Sequence, residues 1–225
     1  QCKKIFCYSK RLEKFPKLYT KKIKIIYPII NKKFYLSKNE GINNKDENIL
    51  LVVGGSQGAN FFQTKLKETL CKLSKKFNLS VYHQASKDNF QSLEQFYQKN
   101  KISFKLFDFE YSLNNILKKV TFCITRAGAS TMAELVFFKV PFLAIPFPYS
   151  KDNHQLSNAQ FYKEHNCCWI FEQKDVIKIN FFETISHIIA DKKEIEIKKK
   201  AMSEFSEKNT WENNNKLIIK TIYEN

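Results

Sequence analysis

Short apolar runs, closed by glycine, proline or polar clusters, alternate along the chain with stretches whose apolar residues recur every three or four positions. Asn48–Val53 (NILLVV) ends at Gly54-Gly55 and has the pattern of a strand buried on both faces. Beyond the glycines, Phe62, Leu66, Leu70 and Leu73 share one helical face. Ser80–Gln84 predicts a second strand, Asp88–Asn100 an amphipathic helix carrying Phe90, Leu93 and Phe96, Ser103–Phe107 a third strand and Ser112–Lys118 a short helix. Thr121–Ile124 predicts a fourth strand that ends at Thr125-Arg126-Ala127-Gly128. A helix follows at Ser130–Phe138, with Ser130 or Thr131 near its N-cap. Pro141–Pro146 is a proline-bounded fifth strand, followed by a helix at Gln155–His165 and a strand at Cys168–Phe171. From about residue 180 the chain reads as helical, with Phe181, Ile185, Ile188 and Ile189 on one face. Trp211 and Leu217-Ile218-Ile219 predict a last helix that docks on another surface.

Strands alternating with helices predict an α/β fold, a Rossmann-like, doubly wound and mostly parallel sheet. Ligands of such sheets lie beyond the carboxyl ends of the strands. The glycine-rich and polar segments here fall at those ends, after Val53, Phe107, Ile124 and Pro146. There is no internal repeat, and residues 36–47 read as a polar loop.

The 225 residues, 43% hydrophobic, suffice for one well-buried domain or one and a fraction. Residue 1 is Gln rather than Met, so the chain is expected to begin inside a longer protein or after a cleavage. No secretory segment follows it and no apolar stretch reaches bilayer length, which predicts a soluble or peripheral protein. The net charge is +16, from 38 basic and 22 acidic residues. Only Arg11 and Arg126 carry the guanidinium fork that nucleic-acid recognition favours, so a solvated lysine surface is the simpler reading and no nucleic-acid partner is expected. Residues 1–40 are the exception. They hold twelve basic residues against Glu13 and Glu40, a net of +10, interleaved with Ile, Phe and Tyr, a pattern suited to an anionic membrane surface. Six scattered cysteines without C-x-x-C, and four histidines without H-E-x-x-H, predict reduced buried thiols in a cytosolic protein.

Three constellations carry chemistry. In Gly54-Gly55-Ser56-Gln57-Gly58-Ala59, glycines let backbone approach a phosphate and the next helix offers its N–H groups; a ligand-free tight turn reads equally well. In Arg126 to Glu134, small residues open onto another helix start. Glu134 there is either a helix-dipole partner or a carboxylate accepting from two vicinal hydroxyls. In Pro146 to Ala159, a proline-stiffened loop delivers Asp152, Asn153, His154, Gln155 and Asn158, which suit sugar hydroxyls or simple helix capping.

In this order and spacing the three motifs resemble the MurG family of peptidoglycan N-acetylglucosamine transferases. That family carries G-G-S-Q-G-A after a strand, then R-[AS]-G-A-x-T-x-x-E, then a loop ending D-x-[HQ]-Q-x-x-N-A. The likeness covers roughly residues 20–220 and points to the C-terminal, donor-binding half of a GT-B architecture. It implies inverting transfer of N-acetylglucosamine from UDP-GlcNAc to the 4-hydroxyl of a lipid-linked muramyl-peptide acceptor, the step from lipid I to lipid II in cell-wall synthesis. The work would be done by a peripheral enzyme on the cytoplasmic face of the bacterial inner membrane. By the same likeness Gly55, Ser56, Gln57 and Gly58 should meet the diphosphate, Glu134 the ribose, His154 and Gln155 the GlcNAc hydroxyls and backbone near Glu110 the uracil. Arg126, Gly128 and Ala129 should line the pocket. The expected general base lies in the acceptor half, which this chain does not contain, so no catalytic residue is expected here and the chain alone should bind donor without turnover. No D-x-D motif occurs, and no metal or cofactor is expected.

The expected division is residues 1–40 as a basic segment joining the acceptor domain, 41–205 as the UDP-GlcNAc-binding domain and 206–225 as a C-terminal helix docking toward the acceptor domain. Two departures stand out. Ile30 occupies the place of an Arg in the family's N-P-[IV]-R, leaving Lys32 or Lys33 to replace it, and His83-Gln84-Ala85-Ser86 lacks the glycine of H-Q-x-G. The alternatives are the donor-binding subunit of a dolichol-pathway GlcNAc transferase and, more remotely, a basic nucleic-acid-binding domain.

Overall fold

A computed structural model describes residues 2–8, 15–37, 48–55, 60–108, 113–178 and 180–223. Six strands form one parallel sheet: β3 (Ile49–Val53), β4 (Ser80–Gln84), β5 (Phe104–Phe107), β6 (Val120–Thr125), β7 (Phe142–Ala144) and β8 (Trp169–Ile170), in the order β5-β4-β3-β6-β7-β8. The chain starts this sheet in the middle, runs out to one edge, then returns past β3 to build the other side. The order therefore reverses between β3 and β6, which opens a crevice at their carboxyl ends.

Both faces of the sheet are covered, which explains why the β3 sequence is apolar at every position. Leu50 and Val52 face one layer, built from the wide turn Phe62–Leu66, α2 (Lys67–Phe77), α3 (Phe90–Lys99) and the helix α8 (Phe181–Ala190). Ile49, Leu51 and Val53 face the other, built from α5 (Ala129–Phe137), α6 (His154–Glu164) and α9 (Lys192–Lys208). Short helices α4 (Leu113–Leu117) and α7 (Gln173–Lys178) fill connections between strands.

The N-terminal segment is more ordered than its charge suggests. Strands β1 (Ile5–Cys7) and β2 (Ile23–Ile25) form a separate parallel pair across a 3-10 turn at Lys17–Lys22. The Ile-Lys-Ile alternation of β2 was readable as a strand; the density of lysine masked it. Downstream, α1 (Lys32–Ser37) joins the main body through edge-on ring contacts of Phe34 with Phe138 and Tyr35 with Phe137. The C-terminal helix α10 (Trp211–Tyr223) meets α1 there too, with Tyr35 and Trp211 ring centroids 6.1 Å apart. A buried hydrogen-bond chain closes this corner: Asn214 donates to Asn209 Oδ1, and Asn209 donates to the Pro28 carbonyl. The polar loop read at 36–47 lies outside the described residues from 38 onward.

Candidate functional site

The crevice begins where β3 and β6 lie side by side. Val53 is in register with Thr125, and the Arg126 N–H donates to the Val53 carbonyl at 2.9 Å. The turns Gly54-Gly55 and Arg126-Ala127-Gly128 therefore leave the sheet together. Gly55 has φ +62°, a left-handed conformation that only glycine adopts without strain. Its N–H donates to Gln84 Oε1 at 3.0 Å, and Gln84 Nε2 donates to the Asp108 carbonyl at 3.0 Å. Ser56, Gln57 and Gly58, and Glu110 beyond β5, lie outside the described residues.

The second turn is built differently. Gly128, at φ −68° and ψ 135°, is the N-cap of α5, two residues before Ser130 and three before Thr131, which the sequence placed near the cap, and no side chain among the described residues caps the helix. The first internal bond of the helix runs from Met132 N–H to the Gly128 carbonyl, so the amides of Ala129, Ser130 and Thr131 begin the helix without internal partners. Such an end attracts anions and hydroxyl oxygens. A Cβ at Gly128 would meet only Thr131 Oγ1, at 3.7 Å, so the fold itself does not require glycine here.

The third segment carries backbone strain. Asp152 (φ 51°) and Asn153 (φ 52°) are consecutive left-handed, non-glycine residues just before α6. Strain of this kind concentrates at functional sites. Neither residue caps α6 through its side chain; the Gln155 N–H instead points to Ser150 Oγ at 3.4 Å. His154 Nδ1 sits 2.7 Å from the Lys151 carbonyl, which makes Nδ1 the protonated nitrogen and leaves Nε2 as an acceptor. Gln155 Oε1 accepts from Phe147 N–H at 2.9 Å and Ala127 N–H at 3.2 Å, which leaves the Nε2 donors without a partner among the described residues. Asn158 Nδ2 donates to the Ala127 carbonyl at 3.0 Å, so one face of α6 clamps both neighbouring strand ends.

Arg126 lies beneath these loops rather than at their surface. It is 4% exposed; Nη1 donates to the carbonyls of Ile145 and Pro146 and Nη2 to Gln173 Oε1 at 2.6 Å. Phe61, Phe62 and Phe147 surround the guanidinium, each ring centroid within 5.4 Å of Cζ. Burial pushes its pKa down to about 10. It still carries its charge at neutral pH, with no carboxylate partner among the described residues. Glu134, half-buried on α5, is pushed up to about 7 by burial. A carboxyl so placed gains from any ligand that donates hydrogen bonds to its ionised form.

A cavity of about 670 Å³ opens beside this constellation. Ala129 and His154 line it with Asp152, Ser157 and Asn158 on one side, and Cys7, Tyr8 and Pro28 of the N-terminal segment on the other. Gly55, Arg126, Gly128, Glu134 and Gln155 are not among its lining residues. Five of the described site residues read from the sequence thus fall into two groups, a floor that ties the strand ends together (Gly55, Arg126, Gln155) and a rim on the cavity (Ala129, His154), while Gly128 and Glu134, at the start and within α5, belong to neither. The sequence reading gave no site role to Gln84 or Gln173 and offered Asn158 to sugar hydroxyls or helix capping, whereas their side chains make the ties. Gln84 ends a strand and Asn158 follows Gln155 by three residues on one helix face, which were the available signals.

Ile30 is buried at 4% exposure among Ala133 and Phe137, and Lys32 Nζ lies over the Trp211 ring at 5.4 Å. His83 is fully buried, its Nδ1 2.9 Å from Tyr97 Oη, and burial pushes its pKa down to about 4. It belongs to the core. No described helix is long and apolar enough to cross a membrane, and no cluster of His, Cys, Asp or Glu among the described residues could hold a metal ion.

The profile of the glycosyltransferase family 28 C-terminal domain matches residues 49–214. A curated relative from Pelagibacter ubique (strain HTCC1062), named UDP-N-acetylglucosamine--N-acetylmuramyl-(pentapeptide) pyrophosphoryl-undecaprenol N-acetylglucosamine transferase, is 42% identical over 224 residues. The match takes in 100% of this chain and 63% of the relative. A relative of the same name from Campylobacter jejuni subsp. jejuni serotype O:23/36 (strain 81-176) is 36% identical over 71% of this chain and 45% of its own length. The chain thus spans less than two thirds of the curated relatives it matches. Among solved structures, Acinetobacter baumannii MurG aligns with a TM-score of 0.63 at 18% identity, over 88% of this chain and 55% of that one. Phytolacca americana UGT2, complexed with UDP-2fluoro-glucose and pterostilbene, aligns with a TM-score of 0.61 at 13% identity, over 90% and 48%. At those identities the likeness is one of fold.

Proposed function

Since the chain belongs to the glycosyltransferase family 28 C-terminal domain family, we propose that it is the donor-binding half of an inverting N-acetylglucosaminyltransferase that moves GlcNAc from UDP-GlcNAc to a lipid-linked muramyl-peptide acceptor. The observation that carries this reading is the pair of turns at the reversal of strand order. There a helix start without a side-chain cap follows one turn, a buried guanidinium underlies both turns, and a half-buried carboxyl lies further along the same helix. The names of the Pelagibacter and Campylobacter relatives supply the substrates.

In this reading the diphosphate lies over the turns after β3 and β6, held by backbone amides from Ser56 to Gly58 and at the start of α5, while the Gly55 N–H, expected from the sequence to join them, stays on Gln84. Glu134 takes the ribose hydroxyls, His154 and Gln155 the sugar, and the loop holding Glu110 the uracil. The acceptor's 4-hydroxyl attacks the anomeric carbon, its proton passes to a base outside this chain, and the bond from that carbon to UDP breaks. Charge then grows on the leaving diphosphate, so oriented N–H donors and the nearby Arg126 charge stabilise the transition state more than the ground state. The orientation of Gln155 fits: its free Nε2 donates to a sugar oxygen while its Oε1 stays on the backbone.

Residues 1–40 would join the acceptor half, residues 41–205 would bind the donor and residues 206–225 would reach back toward the acceptor half. The lysines around β1 and β2, with Leu18, Tyr19 and Ile25 exposed, suit a peripheral position on the anionic cytoplasmic face of the inner membrane. Calorimetric titration of the chain with UDP-GlcNAc and, separately, with a short RNA tests the proposal. Saturable heat with the nucleotide sugar is expected; selective binding of the RNA with none of UDP-GlcNAc would defeat it.

A further inference from the structure

We propose that Gln84 is a positioning residue for nucleotide binding: its carboxamide locks the turn after β3 to the loop after β5, so that the two sides of the crevice move as one wall. The proposal rests on the crevice taking a uridine nucleotide, with the diphosphate at the first of these loops and the base at the second.

The sheet explains why a side chain has to do this. Between β3 and β4 the ladder ends at Val52 opposite His83, whereas between β4 and β5 it continues past Gln84, where Ala85 N–H donates to the Phe107 carbonyl. Gly54 and Gly55 therefore leave the sheet with no further ladder bond to β4. Gln84, the last residue of β4, supplies the missing link by accepting from the Gly55 N–H. Its other end donates to the Asp108 carbonyl, on the far side of β4. One amide thus spans three neighbouring strand ends. The polarity is fixed by the partners, since an N–H can only meet Oε1 and a carbonyl can only meet Nε2. The same contact fixes the role of Gly55, whose N–H is bonded within the protein.

A group that replaces Gln84 must offer one acceptor and one donor. Leucine offers neither. A carboxylate offers two acceptors, so it keeps the Gly55 bond and repels the Asp108 carbonyl. A protonated carboxyl offers one of each and restores both. Facing a carbonyl, that carboxyl is held in its protonated form to higher pH than usual. Gln84→Glu is therefore a switch whose state is set by pH.

The test titrates the wild-type chain, Gln84→Leu and Gln84→Glu with UDP and with uridine, at pH 5 and pH 8, following chemical shifts. Uridine carries no charge in this range, so it separates loop positioning from direct repulsion of a phosphate. Gln84→Leu is expected to lose about tenfold in affinity for both ligands at both pH values. Gln84→Glu is expected to lose about tenfold for both at pH 8 and to return to within threefold of the wild type at pH 5. Wild-type affinity in Gln84→Leu would overturn the proposal, as would an absence of recovery in Gln84→Glu at pH 5. Recovery seen with UDP alone would also overturn it, because repulsion then explains the effect. If the wild type binds neither ligand, the nucleotide reading of the crevice fails first and this inference falls with it.

Discussion

Two strand-turn-helix units leave the sheet side by side, and their glycines do different work. Gly55, after β3, is needed by the chain itself: its φ is positive, and its amide is held by Gln84. Gly128, after β6, has an ordinary φ and room for a Cβ, and the helix behind it has no side-chain cap. The first turn is closed by the protein and the second is left open. A Ser, Thr, Asp or Asn in place of Gly128 would gain only about 0.3 kcal/mol of capping over glycine, so leaving α5 open to another partner costs the fold little.

The comparison depends on Arg126, which underlies both turns. Replacing it with Leu removes its bonds to Ile145, Pro146 and Gln173 and leaves buried carbonyls unpaired. Urea denaturation should show a loss of about 3–4 kcal/mol. A loss below about 1 kcal/mol would mean that the two turns are supported separately.

Glu134 separates the cost of the open unit from its use. Its folded pKa of about 7 lies above the ordinary 4.5, so the native state holds this proton more tightly than the unfolded chain does. Its contribution therefore lowers stability as pH rises from about 4.5 to 7 and is level above that. A neutral amide at this position would remove that loss: Glu134→Gln should match the wild type near pH 4 and exceed it by roughly 1–2 kcal/mol at pH 8, the partial exposure of the side chain trimming the full shift. Thermal unfolding at the two pH values measures this. The same variant should bind UDP-GlcNAc more weakly, a change opposite in sign to its gain in stability. Equal affinity in both proteins would remove Glu134 from the site.

The glycines themselves give the smallest effects. Gly55→Ala should lose roughly 1–2 kcal/mol of stability through its left-handed backbone. Gly128→Ala should lose less than about 0.5 kcal/mol, yet bind UDP-GlcNAc about tenfold more weakly if the nucleotide packs against that backbone. Equal stability losses in the two variants, read from denaturation midpoints, would erase the contrast.

Much of this was legible beforehand. The strand at Ser80–Gln84 and the helices behind Gly128 and Asn153 follow from apolar period and turn residues, the strand end for end and each helix displaced by one position. The site was harder to read where side chains serve the backbone. Arg126 reads as a ligand contact in a motif, but its fork finds two carbonyls and a glutamine inside the protein. Gln155 reads as a pair of polar groups for a sugar, but one of them is taken by two backbone amides. Ile30 reads as a lost contact, but burial against Ala133 and Phe137 gives an apolar side chain its own reason to be there.

The amino-acid order alone determined the six strands of the main sheet, which turns carry glycine and which polar groups follow each strand, because periodicity and turn chemistry are local. It did not determine that β3 neighbours both β4 and β6. Strands buried on both faces look alike from the side-chain pattern, and lateral order is decided by backbone pairing between residues far apart in the chain. Only that pairing brought Gly55 beside Arg126 and put Gln84 within reach of two loops, turning separate motifs into one crevice.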